Sequence, residues 1–288
     1  MKRDAFSQYH PAVNFLFFLS AIGFGVVFQH PAYLLVGFLS GASYYFLLSG
    51  AKGLKFLLVL FPVFLVITLI NPLLNTYGKT TLFTLFSRPY TLEGLLHGAA
   101  VAAVFLIMML WFSCYSKVLT SDKFMCLFGN LIPSVSLLLV MVLRMIPGLT
   151  RKGAQLTAAR QCIGKAGTGT NLREKVTEGM EILSSLADHA LEGSIVTADS
   201  MRARGYGCAK RTSFQIYRMT PRDWVTLLLI VLLAAAVLLA GGYSAEYTPV
   251  LQFQQPTLGL AAYWAFLLIP TILHITEALK WRILISKI

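Results

Sequence analysis

Met201-Arg202-Ala203-Arg204-Gly205-Tyr206-Gly207 closes a polar, helix-patterned segment that separates two strongly apolar parts of the chain. The residues before it read as a membrane platform, and the residues after it return to the bilayer. A helix ending in Ala203-Arg204-Gly205 holds a guanidinium at its last turn. Gly205 can adopt the left-handed conformation that stops the helix, and the arginine suits the negative end of the helix dipole. Arg followed by Gly is also an ordinary helix stop. The stretch gains weight from a rougher copy upstream, Ala158-Ala159-Arg160-Gln161, which also ends a helix-patterned run.

Composition fixes the class. Of 288 residues, 57% are hydrophobic and only 12% charged, and the mean hydropathy is +0.70. A soluble domain carries about 25% charged residues, so the chain is expected to be an integral membrane protein. Its net charge of +12 would suggest nucleic acid in a soluble protein. Here basic residues do not alternate with aromatic ones as in single-strand binders, so no nucleic-acid partner is expected. Cys114, Cys126, Cys162 and Cys208 are widely spaced and form no Cys-x-x-Cys pair, which argues against a metal site or a disulfide framework.

In chain order, uncharged runs occupy 13–28 and 32–48, each slightly short of the roughly 20 residues that a spanning helix needs. A third apolar run covers 56–74, a polar stretch follows at 75–93, and a fourth run covers 95–112. Two more lie at 224–240 and 258–275. The segment 131–149 is apolar but holds Pro133, Arg144 and Pro147. If it crossed the membrane, 151–222 would lie outside. That region carries twelve of the 24 basic residues against six acids, and the positive-inside rule places it in the cytoplasm. The segment 131–149 is therefore expected to lie along the inner surface, buried against protein, with a spanning helix as the alternative.

The resulting expectation is an all-α integral membrane protein with about six transmembrane helices. Cytoplasmic helices would be inserted before the last two spans. The regions are 1–115 (four spans), 116–222 (cytoplasmic) and 223–288 (two spans), with both termini in the cytoplasm. Within the middle region, 165–171 reads as a loop and 172–204 as a helix, with acids in its first turns and Arg202 and Arg204 in its last. Glu174, Glu178 and Glu181 make a solvated face.

Several chemistries lack their signatures. No Gly-x4-Gly-Lys-Ser/Thr sequence is present, so the chain is not itself an ATPase. No His-Glu-x2-His sequence or other ligand cluster suggests zinc. Glu93 and His97 read as an interfacial helix start, and His274 and Glu277 as headgroup-level residues. Arg144 reads as snorkelling or bonding to backbone carbonyls. Gly25, Gly37 and Gly41 permit close helix packing.

The ordered series of small motifs resembles one family, the transmembrane T component of energy-coupling factor (ECF) transporters, the EcfT or CbiQ-like proteins. The series is His10-Pro11, His30-Pro31, Asn71-Pro72, Leu92-Glu93-Gly94, Ile132-Pro133, Arg144-Met145-Ile146-Pro147, the Ala-Ala-Arg-Gln run, and Ala198 to Gly207. The resemblance implies a non-catalytic scaffold that links two cytoplasmic ECF-type ATPase subunits to a small substrate-binding membrane protein, the S component. Uptake of a vitamin or a transition-metal ion would follow, in a prokaryotic cell membrane. No cofactor would sit in this chain, since ATP and magnesium would be bound by the partner ATPases.

In the family, two Ala-Arg-Gly signatures end coupling helices and dock on the ATPases. Carried over by motif, these are Ala203, Arg204 and Gly205, with Ala159 and Arg160 as the departing copy. Gln161 stands there in place of Gly, so the first helix is expected to run on past Arg160 while the arginine still projects. Arg144 and Pro147 are expected as supporting residues. The rival classes are a conventional ABC permease, for which no Glu-Ala-Ala…Gly loop is found, and an integral membrane enzyme using Glu93, His97, Arg144 or His274. A third reading, compatible with the first, is a basic scaffold that binds anionic lipid through 151–222.

Overall fold

A computed structural model describes residues 6–74, 81–85, 88–128, 133–164, 172–208, 217–240, 245–246, 252–253 and 258–285. The helices are α1 (Pro11–Val27), α2 (Pro31–Ser49), α3 (Ala51–Leu74), α4 (Leu92–Val118), α5 (Ser121–Phe128), α6 (Pro133–Cys162), α7 (Leu172–Ala203), α8 (Pro221–Ala240) and α9 (Leu258–Ile285). Two short antiparallel hairpins join them: β1 (Thr81–Leu85) with β2 (Arg88–Thr91), and β3 (Ala245–Glu246) with β4 (Gln252–Phe253). The predicted all-α membrane character holds, with β structure confined to these hairpins among the described residues. Five helices (α2, α3, α4, α8 and α9) are long and apolar enough to cross a membrane; α1 is apolar but shorter, at 17 residues.

The chain divides into two compact units, one made of Met1–Phe124 and Tyr217–Ile288, the other of Met125–Ile216. In the first unit, α4 packs on α1, α2 and α3, while α9 packs on α2 and α8. Its core is aromatic. Phe17 stacks on Phe266 with centroids 5.1 Å apart and meets Trp111 edge-on at 5.7 Å, so α1, α4 and α9 share one interior. Glycines bring the helices close, as the sequence predicts. A Cβ on Gly37 would lie 3.2 Å from the Tyr263 hydroxyl, and one on Gly25 would lie 3.2 Å from Ile107. Two approaches are tighter still: a Cβ on Gly41 would lie 2.5 Å from Leu110 of α4, and one on Gly98 would come within 2.9 Å of the Thr68 carbonyl oxygen of α3.

The two His-Pro pairs share one local device. His10 and His30 are N-caps, and the Nδ1 of each accepts the backbone N–H two residues on, from Ala12 and Ala32, at 3.2 Å. Proline follows at the first helical position, where its missing N–H has no cost. A third entry, at α8, uses the acidic half of a capping box. Asp223 Oδ2 accepts from the Thr220 backbone N–H at 2.8 Å and from its hydroxyl at 2.7 Å.

Long-range bonds set the helix directions. Asp223 Oδ1 also accepts the backbone N–H of His10 at 3.0 Å, so the starts of α1 and α8 lie at the same end of the unit. Lys123 donates to the Ser7 hydroxyl at 2.9 Å and to the Val118 carbonyl at 3.0 Å, which brings the end of α4 there too. Lys117 bonds the Ser49 hydroxyl and lies 4.0 Å over the Tyr45 ring, adding the end of α2. A cavity of about 420 Å³ lined by Tyr9, Arg222 and Glu277 places the C-terminal half of α9 beside them. Burial, reinforced by the Glu277 charge, pushes the Tyr9 phenol above its usual range. The opposite end carries β1 and β2, and the Tyr90 hydroxyl donates to the Leu69 carbonyl of α3 at 3.4 Å. The helices thus alternate in direction, and α1 runs parallel to α8.

In the second unit α6 packs on α7. Here one expectation is corrected. The apolar stretch 131–149 is predicted to be buried against protein, yet along α6 Val135, Leu138, Val142 and Ile146 are all exposed. The helix is also longer than that stretch, continuing without interruption through Pro147 to Cys162. Proline removes one backbone donor and crowds the preceding turn, a local defect that a 30-residue helix accommodates here.

Candidate functional site

The sequence singles out Arg204, and the structure explains how the chain holds it. Helix α7 ends at Ala203, and Arg204 occupies the cap. Gly205 follows with φ +74, a left-handed conformation that costs a residue with a Cβ roughly 1–2 kcal/mol. Its N–H donates to the Arg202 carbonyl at 3.0 Å, and the Tyr206 N–H reaches back to the Met201 carbonyl at 3.0 Å. These paired bonds are the Schellman arrangement, with Tyr206 and Met201 at the positions whose side chains accompany it. The orphan carbonyls of the last turn are thereby satisfied by backbone, and the Arg204 side chain is not needed to cap them. It is exposed and makes no hydrogen bond or ion pair among the described residues.

Arg160 is placed differently. The predicted extension of its helix is present: α6 runs on to Cys162 and stops at Gly164, whose φ is +71 and whose N–H donates to the Gln161 carbonyl at 3.1 Å. Arg160 therefore lies a turn before the stop, with Ala159 exposed beside it. Its side chain is engaged within the protein. Its Nη1 lies 2.7 Å from Glu181 Oε2 of α7, and its side chain is only 22% exposed. Glu181, assigned by its spacing to a solvated face, is the ion-pair partner.

Arg144 and Arg204 come together on one surface. A groove of about 960 Å³ runs between α6 and α7, lined by Arg144, Arg151 and Lys152 from α6 and by Arg202 and Arg204 from α7. Of the two expectations for Arg144, snorkelling or bonding to backbone carbonyls, the second is not met: no such bond is present among the described residues, and its side chain is exposed on this groove. Pro147 is exposed on α6 but does not line it. Arg160 is outside the groove. Arg202 has a partner, Asp199, at 3.9 Å, and both are well exposed.

His189 of α7 also lines the groove, whereas Glu93, His97, His274 and Glu277 belong to the first unit. Glu93 is buried in the first turn of α4, where Thr91 Oγ1 caps the helix by accepting from the Gly94 N–H at 3.2 Å. His97 follows one turn later, and His274 and Glu277 belong to α9. No group of three His, Cys, Asp or Glu side chains gathers as a metal site among the described residues. None of the four cysteines is in a disulfide: Cys114 is buried, and Cys162 and Cys208 are exposed. Burial raises the Cys126 thiol above its usual range.

Two residues that organise the molecule escape the sequence reading. Lys123 looks like one charge in a mixed segment, and its role as a bridge to Ser7 is a contact between residues far apart in sequence. The acidic half of the box at Thr220 and Asp223 is readable as a Thr-x-x-acid pattern, but its second acceptor, aimed at His10, is not. No family model and no curated protein matches the chain.

Proposed function

We propose that the chain is the energy-coupling membrane scaffold of an ECF-type importer. In this reading α6 and α7 are coupling helices that receive two cytoplasmic ATPase subunits, and the membrane unit carries the S component. ATP hydrolysis belongs to the partners, and the S component selects the substrate, a vitamin or a transition-metal ion. The protein would reside in a prokaryotic cell membrane.

The observation that carries the reading is Arg204, an unpaired guanidinium on a rigid cap at the end of a 32-residue helix. Its side chain keeps five donors in a fixed fork, suited to carboxylates or carbonyls in a partner's groove. The exposed apolar residues of α7 support it. Val176, Met180, Leu183, Leu191 and Ile195 recur at helical spacing and are each exposed, a surface that in a stable protein calls for a partner.

Helix directions support the topology. With the starts of α1 and α8 at one end, the chain between them crosses the membrane an even number of times, so a lone crossing by α6 does not fit. Counting α1 with the five longer helices gives six spans. The shared end carries Lys117, Lys123, Arg218 and Arg222, which favours the cytoplasm.

The test is a detergent pull-down of the tagged chain from its host, comparing wild type with Arg204→Glu and Arg204→Lys. Two ATP-binding subunits should accompany wild type and be lost from Arg204→Glu. Arg204→Lys keeps the charge without the fork and should retain them only weakly. Equal recovery of the ATPases by wild type and Arg204→Glu overturns the reading.

A further inference from the structure

The α6–α7 groove holds more positive charge than a docking arginine requires. Arg144, Arg151, Lys152, Arg202 and Arg204 line it, and no carboxylate does. Of these, Arg144, Arg151, Lys152 and Arg204 make no hydrogen bond or ion pair among the described residues, in contrast to Arg160 just beyond the groove. Like charges collected at one surface repel unless an anion neutralises them.

The groove is also amphiphilic along its length. Met141 and Met145 line it on either side of Arg144, and Met201 faces it from α7. The same end of α6 exposes Val135, Leu138 and Val142. Arg144 thus marks a boundary, with exposed apolar surface on its N-terminal side and Arg151 and Lys152 two turns further on. Glycine makes room: Gly148 and Gly193 both line the groove, and a Cβ on either would meet nothing within 4 Å. At about 960 Å³ it lies near the top of the roughly 300–1,000 Å³ range of ligand-enclosing pockets.

We propose that this groove binds the headgroup of an anionic phospholipid, with the phosphate held by Arg144, Arg151 and Lys152 and the acyl chains lying along the exposed apolar start of α6. Guanidinium groups match phosphate oxygens with paired donors, and clustered basic residues attract anionic lipid. An acidic protein segment would satisfy only the cationic half of the groove and leave the apolar half uncovered. The assignment goes beyond the coupling reading and does not depend on it, because it rests on α6 cations and leaves Arg204 intact.

The test uses the full chain purified in detergent, with bound lipid counted by native mass spectrometry. Phosphatidylglycerol and phosphatidylethanolamine with matched acyl chains are the probes, with inorganic phosphate as competitor. Wild type should retain phosphatidylglycerol at least tenfold better than phosphatidylethanolamine. Arg144→Gln/Arg151→Gln/Lys152→Gln should abolish that preference. Gly148→Leu/Gly193→Leu fills the groove with the charge unchanged and should weaken retention several-fold, with helix content verified by circular dichroism for both variants.

Equal retention of the two lipids by wild type overturns the proposal. So does a groove-filled variant that behaves as wild type, since that outcome means diffuse attraction to a basic surface. Displacement by millimolar phosphate alone points to a free anion site and also overturns it. ATPase recovery in the Arg204 pull-down is a separate readout, so either idea can fail alone.

Discussion

Arg160 and Glu181 form an ion pair at 2.7 Å between α6 and α7, which makes the two arginine signatures of this chain unequal. The first is held by its own protein, while the second, Arg204, is left without a partner among the described residues. Glu181 is 57% exposed, so screening keeps the pair in the range of about 0–1 kcal/mol. Arg160→Glu should lower the thermal stability of the α6–α7 pair, and the charge-swapped Arg160→Glu/Glu181→Arg should restore it. A double-mutant cycle with no coupling between the positions would show that the contact contributes nothing. Any loss of ATPase recovery in Arg160→Glu must be judged against this swap, because the single variant places two carboxylates together.

Gly205 decides where Arg204 points. At φ +74 an alanine is strained by about 1–2 kcal/mol, and the space around it is open, so the cost is purely one of backbone conformation. Gly205→Ala should fray the last turn of α7 and raise amide exchange at positions 205 and 206. Under the coupling reading, ATPase recovery should fall while the rest of the helix stays intact. Unchanged exchange in the variant contradicts the cap.

Asp223 is buried, and it serves two helices with its two oxygens, one for Thr220 and one for His10. An amide has a single acceptor, so Asp223→Asn can satisfy one site and not both. A buried donor left without a partner costs about 1–3 kcal/mol. The variant should melt several degrees lower in detergent than wild type. A Thr220→Ala change should cost less, since it leaves the His10 bond in place. Equal melting of Asp223→Asn and wild type rules out the bridge as a stabilising contact.

Cysteine labelling tests the side on which the second unit lies. Cys162 and Cys208 are exposed there, and Cys114 is buried in the membrane unit. A membrane-impermeant maleimide should modify Cys162 and Cys208 in inside-out vesicles and leave them unmodified in intact cells. The reverse pattern would place α6 and α7 outside and remove the coupling reading.

Much of this architecture is local and therefore legible from the residues. Long uncharged runs mark the spanning helices because hydrocarbon tolerates no unsatisfied backbone. His-Pro pairs and Thr220-x-x-Asp223 mark helix starts, and Gly164 and Gly205 mark stops, because capping is decided within a few residues. The end of α7 at Ala203 and the continuation of α6 past Arg160 follow from those glycines. The polar stretch after α3 holds a strand pair, β1 with β2, that hydropathy alone does not reveal, because a hairpin there needs pairing across a turn.

What the sequence by itself determined is the membrane character, the helical elements and the sites of their caps, all consequences of hydropathy and of chemistry within one turn. Tertiary structure alone decided which arginine is free. Arg160 and Glu181 meet only because α6 and α7 fold against each other, and no spacing rule pairs them. The same packing turned scattered cations into one groove, left the start of α6 exposed, and set α1 parallel to α8 through His10 and Asp223. Each of these depends on residues distant in sequence, whose approach is fixed by the packing of whole helices and not by any local preference.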